Sequence, residues 1–157
     1  MSRTAERKTR DHRRGCPEET AFLELLRTTD LLSRGLAGIL KPGGLSLTQY
    51  NVLRILRGSP DGLPCGEIAG RMITRDPDVT RLLDRLEKSE LISRGRPDRD
   101  RRTVIARITR KGLRLLARLD EPVRRAHRAQ LGHLGRARLL DLVEMLHAVR
   151  LGEAGFG

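Results

Sequence analysis

Between Pro64 and Arg107 the chain passes through a short helix, a turn, a second helix with a basic outer face, and two short extended segments around an arginine-loaded loop. Pro64 opens the first helix, expected from Cys65 to about Met72 with Ile68, Ala69 and Met72 inward. Thr74-Arg75-Asp76-Pro77 reads as the turn, with Asp76 placed as an N-cap and Pro77 suited to the first helical position. In the next helix, predicted over 77–89, Val79, Leu82, Leu83 and Leu86 fall at i, i+3, i+4 and i+7 and form one buried stripe. Asp78, Thr80, Arg81, Asp84, Arg85 and Lys88 are left on its other faces. Leu91-Ile92 and the stretch 104–108 are strand candidates, and the loop between them is RGRPDRDRRT, Arg94 to Thr103. A helix sized for the major groove beside a charged hairpin suited to the minor groove is the layout of a winged helix-turn-helix. It predicts DNA binding rather than catalysis.

Charge points the same way. The 157 residues carry a formal net charge of +12 and a pI near 11.3. Such an excess favours polyanions, nucleic acid first and an anionic membrane surface second. Lys8, Lys41, Lys88 and Lys111 are the four lysines among 32 basic residues, so 28 are Arg. Arginine offers a planar fork for phosphates and guanine edges; an arginine-favouring composition explains part of the excess but not its placement. With no Trp, one Tyr and two Phe, the core must be aliphatic, and binding single strands by aromatic stacking is disfavoured. No apolar run approaches the length of a membrane span. The N-terminus is charged without an apolar segment, and Cys16 and Cys65 do not make a disulfide framework. These features lead us to expect a cytoplasmic protein.

Four regions follow. Residues 1–16 hold six basic groups and no apolar periodicity, which predicts a disordered basic tail, either an inert leader or an arm for extra phosphate contacts. Residues 17–44 predict a helix with Phe22, Leu25, Leu26, Leu32, Leu36, Ile39 and Leu40 at helical spacing, acidic Glu18 and Glu19 in its first turn, and Pro42-Gly43-Gly44 as its end. Residues 45–109 form the winged helix-turn-helix lobe. It opens with Ser46 and Gln49 as a capping box and Leu45 as the staple residue, and Val52, Leu53, Ile55 and Leu56 are expected inward. Residues 110–157 predict a long helix capped by Thr109, with Leu113, Leu116, Leu119 and Val123 inward. A last helix follows from about Arg136 to Leu151. The fold class expected is mainly α with a small β-wing. Regions 17–41 and 110–151 show more apolar helical surface than a small lobe can cover, which marks them as a dimer interface.

The segments SLTQYNVLRIL, GEIAGRM, DVTRLLDRLEKSELISR, PDRDRR and ITRKG stand in the order and spacing of the MarR (multiple antibiotic resistance regulator) family. The chain resembles that family from about Leu45 to Leu119; the flanking helices match in placement rather than in sequence. The resemblance implies a homodimer with intertwined terminal helices. It also implies a palindromic operator on double-stranded DNA, usually repression, and often release by a small ligand or by oxidation. A two-fold dimer would set its two helices about one DNA turn apart.

Within that frame Thr80 and Arg81 are expected at base edges, Arg81 taking a guanine bidentately, and Arg85 at phosphate. Asp78 either accepts from a cytosine amino group or favours the helix N-terminus, the second being the commoner role of an acid near phosphates. Residues 91–111 hold eight basic groups and two acids, and Arg94, Arg99, Arg101 and Arg102 are the expected wing contacts. By the family's Asp-Arg-Arg pattern, Asp100 would fold the loop against Arg102, and Arg101 would enter a narrow A·T-rich minor groove. Arg99 replaces a usually acidic or neutral position. Asp84 would pair with Arg102 or Arg94 and fix the wing against the helix.

The input signal is less legible. Cys65, at a helix N-terminus where the dipole favours thiolate, is the redox candidate; its alternative is a small buried residue. Cys16 lacks the reactive-cysteine context of the organic-hydroperoxide branch of the family. His12, His127, His133 and His147 show no metal-ligand spacing. An aromatic or phenolic acid, as many relatives bind, would sit between the dimer helices and the DNA-binding lobe, with Arg residues for its carboxylate but, with so few aromatics in the chain, no rings to stack on. No cofactor is expected. No Ser/His/Asp set, Gly-rich phosphate loop or apolar carboxylate pair suggests an enzyme. A non-specific nucleoid-type protein is the rival reading, which the defined helix and wing disfavour.

Overall fold

The computed structural model describes residues 16–96 and 103–152. The basic leader and the wing tip, with Arg99, Asp100, Arg101 and Arg102, lie outside the described residues. Helix α1, Pro17–Leu40, starts on a proline at its first turn, where a missing N–H costs nothing. It ends in a 3-10 turn, Lys41–Gly43, closed by Gly44 at φ +69°. Helix α2, Leu47–Arg57, is set by the expected capping box: Ser46 Oγ accepts from the Gln49 N–H at 3.2 Å, and the Ser46 N–H donates to Gln49 Oε1 at 2.9 Å.

The turn after α2 leads through Gly62, at φ +80°, into β1, Leu63–Pro64. A Cβ at Gly62 would come within 2.6 Å of the Ala106 carbonyl oxygen, so glycine is required twice over. Helix α3, Cys65–Arg71, and helix α4, Val79–Lys88, follow. Strands β2, Ile92–Gly95, and β3, Ile105–Ile108, are antiparallel, with Arg94 opposite Ala106 and Gly95 opposite Ile105. Helix α5, Arg110–Leu131, a 3-10 turn, Gly132–Leu134, and helix α6, Arg136–Gly152, complete the chain.

The architecture is the expected one, mainly helical with a small wing sheet. Three details differ from the sequence reading. The sheet has three strands, in order β1-β3-β2, where two were expected. A two-residue strand has no periodicity to read, and its partners Ala106 and Ile105 lie some forty positions away. Pro64 is tolerated there because β1 is an edge strand. Helix α4 starts at Val79 rather than Pro77: Asp78, at φ −130° and ψ 61°, is the N-cap, and Asp76 Oδ1 instead accepts the Asp78 N–H at 2.9 Å. Leu113, expected inward, is exposed, and the buried face of α5 is Leu115, Leu116, Leu119 and Val123.

One core joins the lobe to the long helices, with Leu40, Leu53, Leu56, Ile68, Leu83, Leu86, Ile92 and Leu116 fully buried. Arg57 on α2 reaches both carboxylate oxygens of Asp120 on α5 at 2.9 Å. Gln130 on α5 donates to the Leu32 carbonyl of α1 at 3.4 Å. By contrast, no residue of α6 is buried.

Candidate nucleic-acid interface

Ten residues are too few for a helix that stands alone in water, so α4 is held by what it buries. Val79, Leu82, Leu83 and Leu86 are all in the core. Each such side chain stabilises by about 1.5–3 kcal/mol on full burial. The cap adds to this: Asp78 Oδ1 accepts the Arg81 N–H at 2.9 Å. Of the two roles open to Asp78, the structure shows the capping one.

With that face seated, Thr80, Arg81 and Arg85 stand exposed. Arg81 Nε lies 3.7 Å from Asp78 Oδ2, both side chains open to solvent. An exposed pair of this kind is worth ~0–1 kcal/mol, so the guanidinium is free to exchange it for a base or a phosphate.

Among the described residues, Arg94 fastens the wing to α4. Arg94 donates through Nε and a terminal nitrogen to Glu87 Oε2 at 2.9 and 2.6 Å, and through the same terminal nitrogen to Asp84 Oδ1 at 2.5 Å. Its backbone N–H also donates to Glu87 Oε1 at 3.0 Å. The Arg94 hydrogen bond holds the Glu87 carboxyl below the ordinary carboxylate range, and the same contact pushes the guanidinium up. Of the two partners expected for Asp84, Arg94 is the one it meets, and Arg102 lies outside the described residues. Glu87 was missed by the sequence reading. The available signal was its place three residues after Asp84, which sets two acids on one helix face beside an arginine-rich loop.

A second joint sits at the wing base. Glu90 adopts φ 58°, the left-handed region that non-glycine residues avoid. Thr109 Oγ1 donates to the Glu90 carbonyl at 2.7 Å and accepts the Gly112 N–H at 3.1 Å, while Lys111 Nζ reaches Glu90 Oε2 at 2.9 Å. The Lys111 contact lowers the Glu90 carboxyl. A Cβ at Gly112 would lie 2.4 Å from the Leu91 carbonyl oxygen, so α5 can meet the wing base this closely only through glycine.

A cavity of about 400 Å³ lies between α1, α2, α5 and the turn before α4, lined by Leu32, Leu36, Leu47, Tyr50, Asn51, Arg54, Ile73, His127 and Gln130 among others. Its position is the one expected for an effector. Its wall corrects one expectation, since Tyr50, the only tyrosine of the chain, supplies a ring. The Arg54 guanidinium lies 5.9 Å from that ring's centroid. Asn51 Oδ1 accepts the Ile73 N–H at 2.9 Å and ties this wall to the turn that leads into α4. The lining comes from four separate segments, so no local motif announced it.

Cys65 is the first residue of α3, half-buried and packed against the core, and Cys16 is exposed; both are free thiols. Among the described residues no helix is long and apolar enough to cross a membrane.

Known proteins share this geometry. The family model described as MarR family matches residues 45–104. A solved MarR transcription factor from Planctomyces limnophilus is 40% identical, with a TM-score of 0.65 over 83% of this chain and 95% of its own. A transcriptional repressor, CouR, solved bound to a 23-mer DNA duplex, is 31% identical, with a TM-score of 0.73 over 81% of this chain and 89% of its own. The curated regulator FarR of Neisseria gonorrhoeae is 28% identical over 122 residues, 78% of this chain and 83% of that protein.

Proposed function

The chain belongs to the MarR family of DNA-binding transcription regulators, and from that premise we propose that it is a homodimeric repressor of a palindromic operator, released by a small ligand. One observation carries the reading. Thr80, Arg81 and Arg85 stand exposed on a helix whose opposite face is seated in the core and whose far end is clamped to the wing. Positioning of this kind is what groove reading needs, because a base-edge contact is specific only when the helix cannot tilt.

Thr80 and Arg81 read base edges in the major groove, and Arg85 holds phosphate. Arg101 enters the minor groove at the wing tip, while Arg99 and Arg102 add phosphate contacts or loop pairing and Asp100 folds the loop. Arg94 positions the wing rather than touching DNA: its guanidinium is taken up by Asp84 and Glu87, so it fixes the wing's angle to α4. Asp78 acts through its cap.

Dimerisation is supported by apolar surface that one protomer leaves open. Phe22 and Leu26 on α1 are 60% and 53% exposed, and Leu140 and Val149 on α6 are 52% and 55% exposed. Repression is supported by the similarity to CouR, a transcriptional repressor solved bound to DNA. Release by a ligand is supported by the cavity, whose volume falls within the usual range for small-molecule sites. A small aromatic or phenolic acid suits it, with the ring beside Tyr50 and the acid on Arg54. An occupant presses on Ile73 and Thr74 and so shifts the turn before α4.

The test is a fluorescence-anisotropy titration against the DNA upstream of the protein's own gene and against operators selected from a random library, at two salt concentrations with random competitor. Binding of two protomers that survives competition is the expected result. Binding abolished equally by random DNA, with no sequence enriched from the library, would make the protein a general DNA coater instead.

A further inference from the structure

We infer that the outer face of α5 is a second, sequence-independent contact for duplex DNA that takes the phosphates flanking the operator; this rests on the regulator reading above. Arg110, Arg114, Arg118, Arg125 and Arg128 are all exposed on α5. At 3.6 residues per turn they fall within an arc of about 80°, opposite the buried Leu115, Leu116, Leu119 and Val123. Glu121 shares the arc, but its carboxylate is occupied by Arg124 at 2.6 Å.

What separates this ridge from the rest of an arginine-rich surface is that five arginines without a carboxylate partner share one helix face, whereas the other arginines outside the ion pairs among the described residues, such as Arg75, Arg85, Arg96, Arg107 and Arg136, are spread over the turn before α4, α4, the wing and α6. Arg27, Arg34, Arg57, Arg71, Arg94 and Arg124 each have a carboxylate within 3.2 Å. The five ridge arginines have none within ion-pair distance among the described residues. A bias toward arginine in the composition would scatter cations among the twenty acids of the chain. It does not account for one helix face on which unpaired cations collect.

Continuity names the occupant. The ridge starts at Arg110, two residues beyond β3, and β3 is paired to β2 of the wing and carries the exposed Arg107. The basic surface therefore runs from the wing onto α5 with no element between. From Arg110 to Arg128 the helix rises about 27 Å, which matches roughly eight base pairs of duplex at 3.4 Å each. Apart from Leu113, which stands about 60° outside the arginine arc on α5, the large exposed apolar side chains of the flanking regions lie on α1 and α6, so pairing of protomers through them leaves the ridge outward. Duplex leaving the wing must curve toward the protein to follow the ridge, and flexible pyrimidine–purine steps in the flanks favour that path.

The experiment uses the full chain and two probes. One is an operator duplex of about 22 bp, long enough for two half-sites a turn apart; the other is the same duplex extended by about 12 bp at each end, more than the ridge spans. The expected result is binding of the long probe about tenfold tighter at low salt, with a salt slope steeper by roughly 0.9 for each added phosphate contact. The triple variant Arg114→Gln, Arg118→Gln, Arg125→Gln should lose that length advantage and keep its affinity for the short probe. Arg→Lys at the same three positions should retain the advantage, because the contact is one of charge. Equal affinity and slope on both probes for the wild type would overturn the inference. So would a Gln variant that loses both probes alike, or a Lys variant that behaves as the Gln one. Phosphate contacts carry no sequence information, so the same comparison on random-sequence duplexes judges the ridge even if the operator reading fails. A missing preference on the short probe sinks the operator reading alone.

Discussion

Arg94 and Arg81 look alike in the sequence and differ in what surrounds them. Arg94 is held by two carboxylates, so its removal leaves Asp84 and Glu87 facing each other beside the DNA-binding face. Arg94→Ala should lower stability by about 1–2 kcal/mol, as for a charge-assisted hydrogen bond in a half-exposed setting, and weaken operator and random DNA alike, as read by denaturation and anisotropy. Arg81 has only a long, exposed pair to give up. Arg81→Ala should leave stability nearly unchanged, weaken the best operator by roughly 1–3 kcal/mol and relax preference at one position per half-site. Equal losses on operator and random DNA would remove the base-reading role given to Arg81. Glu87 adds a pH signature. Its carboxyl is lowered in the folded protein by Arg94, so its stabilising contribution is present above the ordinary glutamate value of 4.5 and fades as pH falls through the lowered folded value. Glu87→Gln should flatten the loss of stability on the acid side; an unchanged acid profile would show that the clamp does not contribute to it.

At the scale of elements, helix α4 depends on a local cap and a distant seat. Asp78→Ala should destabilise by roughly 0.5–2 kcal/mol, whereas Asp78→Asn, a cap of equal rank, should not. If Asn restores stability but not operator affinity, the carboxylate has a role at the DNA beyond capping. The joint between wing and α5 rests on Gly112. Gly112→Ala should cost about 1–3 kcal/mol by overpacking, despite alanine's better helix propensity, because the added carbon meets the Leu91 carbonyl. Thermal unfolding decides the sign: stabilisation would mean that α5 can shift off the wing base at little cost. The capping box of α2 and the threonine cap of α5 were legible because donor and acceptor are three residues apart. The start of α4 was not, because Asp76 and Asp78 both have capping chemistry and the register of the buried stripe decides between them.

For the whole molecule the unresolved quantity in one protomer is its apolar surface. Helix α6 buries none of its residues, and Leu140, Val143, Met145 and Val149 remain about half exposed or more. Soluble monomers rarely leave such surface open. If the terminal helices form the proposed dimer, Leu26→Asp together with Val143→Asp should give a monomer in sedimentation equilibrium where the wild type is a dimer. The operator should then be lost by far more than either protomer's share, since two half-sites are no longer engaged together. A monomeric wild type, or a variant that keeps full operator affinity, would exclude the terminal helices as the interface.

What the sequence determined by itself is whatever rests on contacts within a few residues. The stripe of Val79, Leu82, Leu83 and Leu86, the caps at Ser46 and Thr109, and the extended segments of the wing follow from helical and strand periods and from local donors and acceptors. They suffice for the winged helix-turn-helix and for the side of α4 that faces out. Only the tertiary structure decided the rest, because the deciding partners are far apart in the chain. Strand β1 exists through Ala106 and Ile105, the cavity forms where four segments meet, and Gly112 is required by the Leu91 carbonyl. The same holds for charge. The sequence counts arginines, whereas which of them are neutralised, as at Arg94, and which stay open, as along α5, depends on the carboxylates that folding brings within reach.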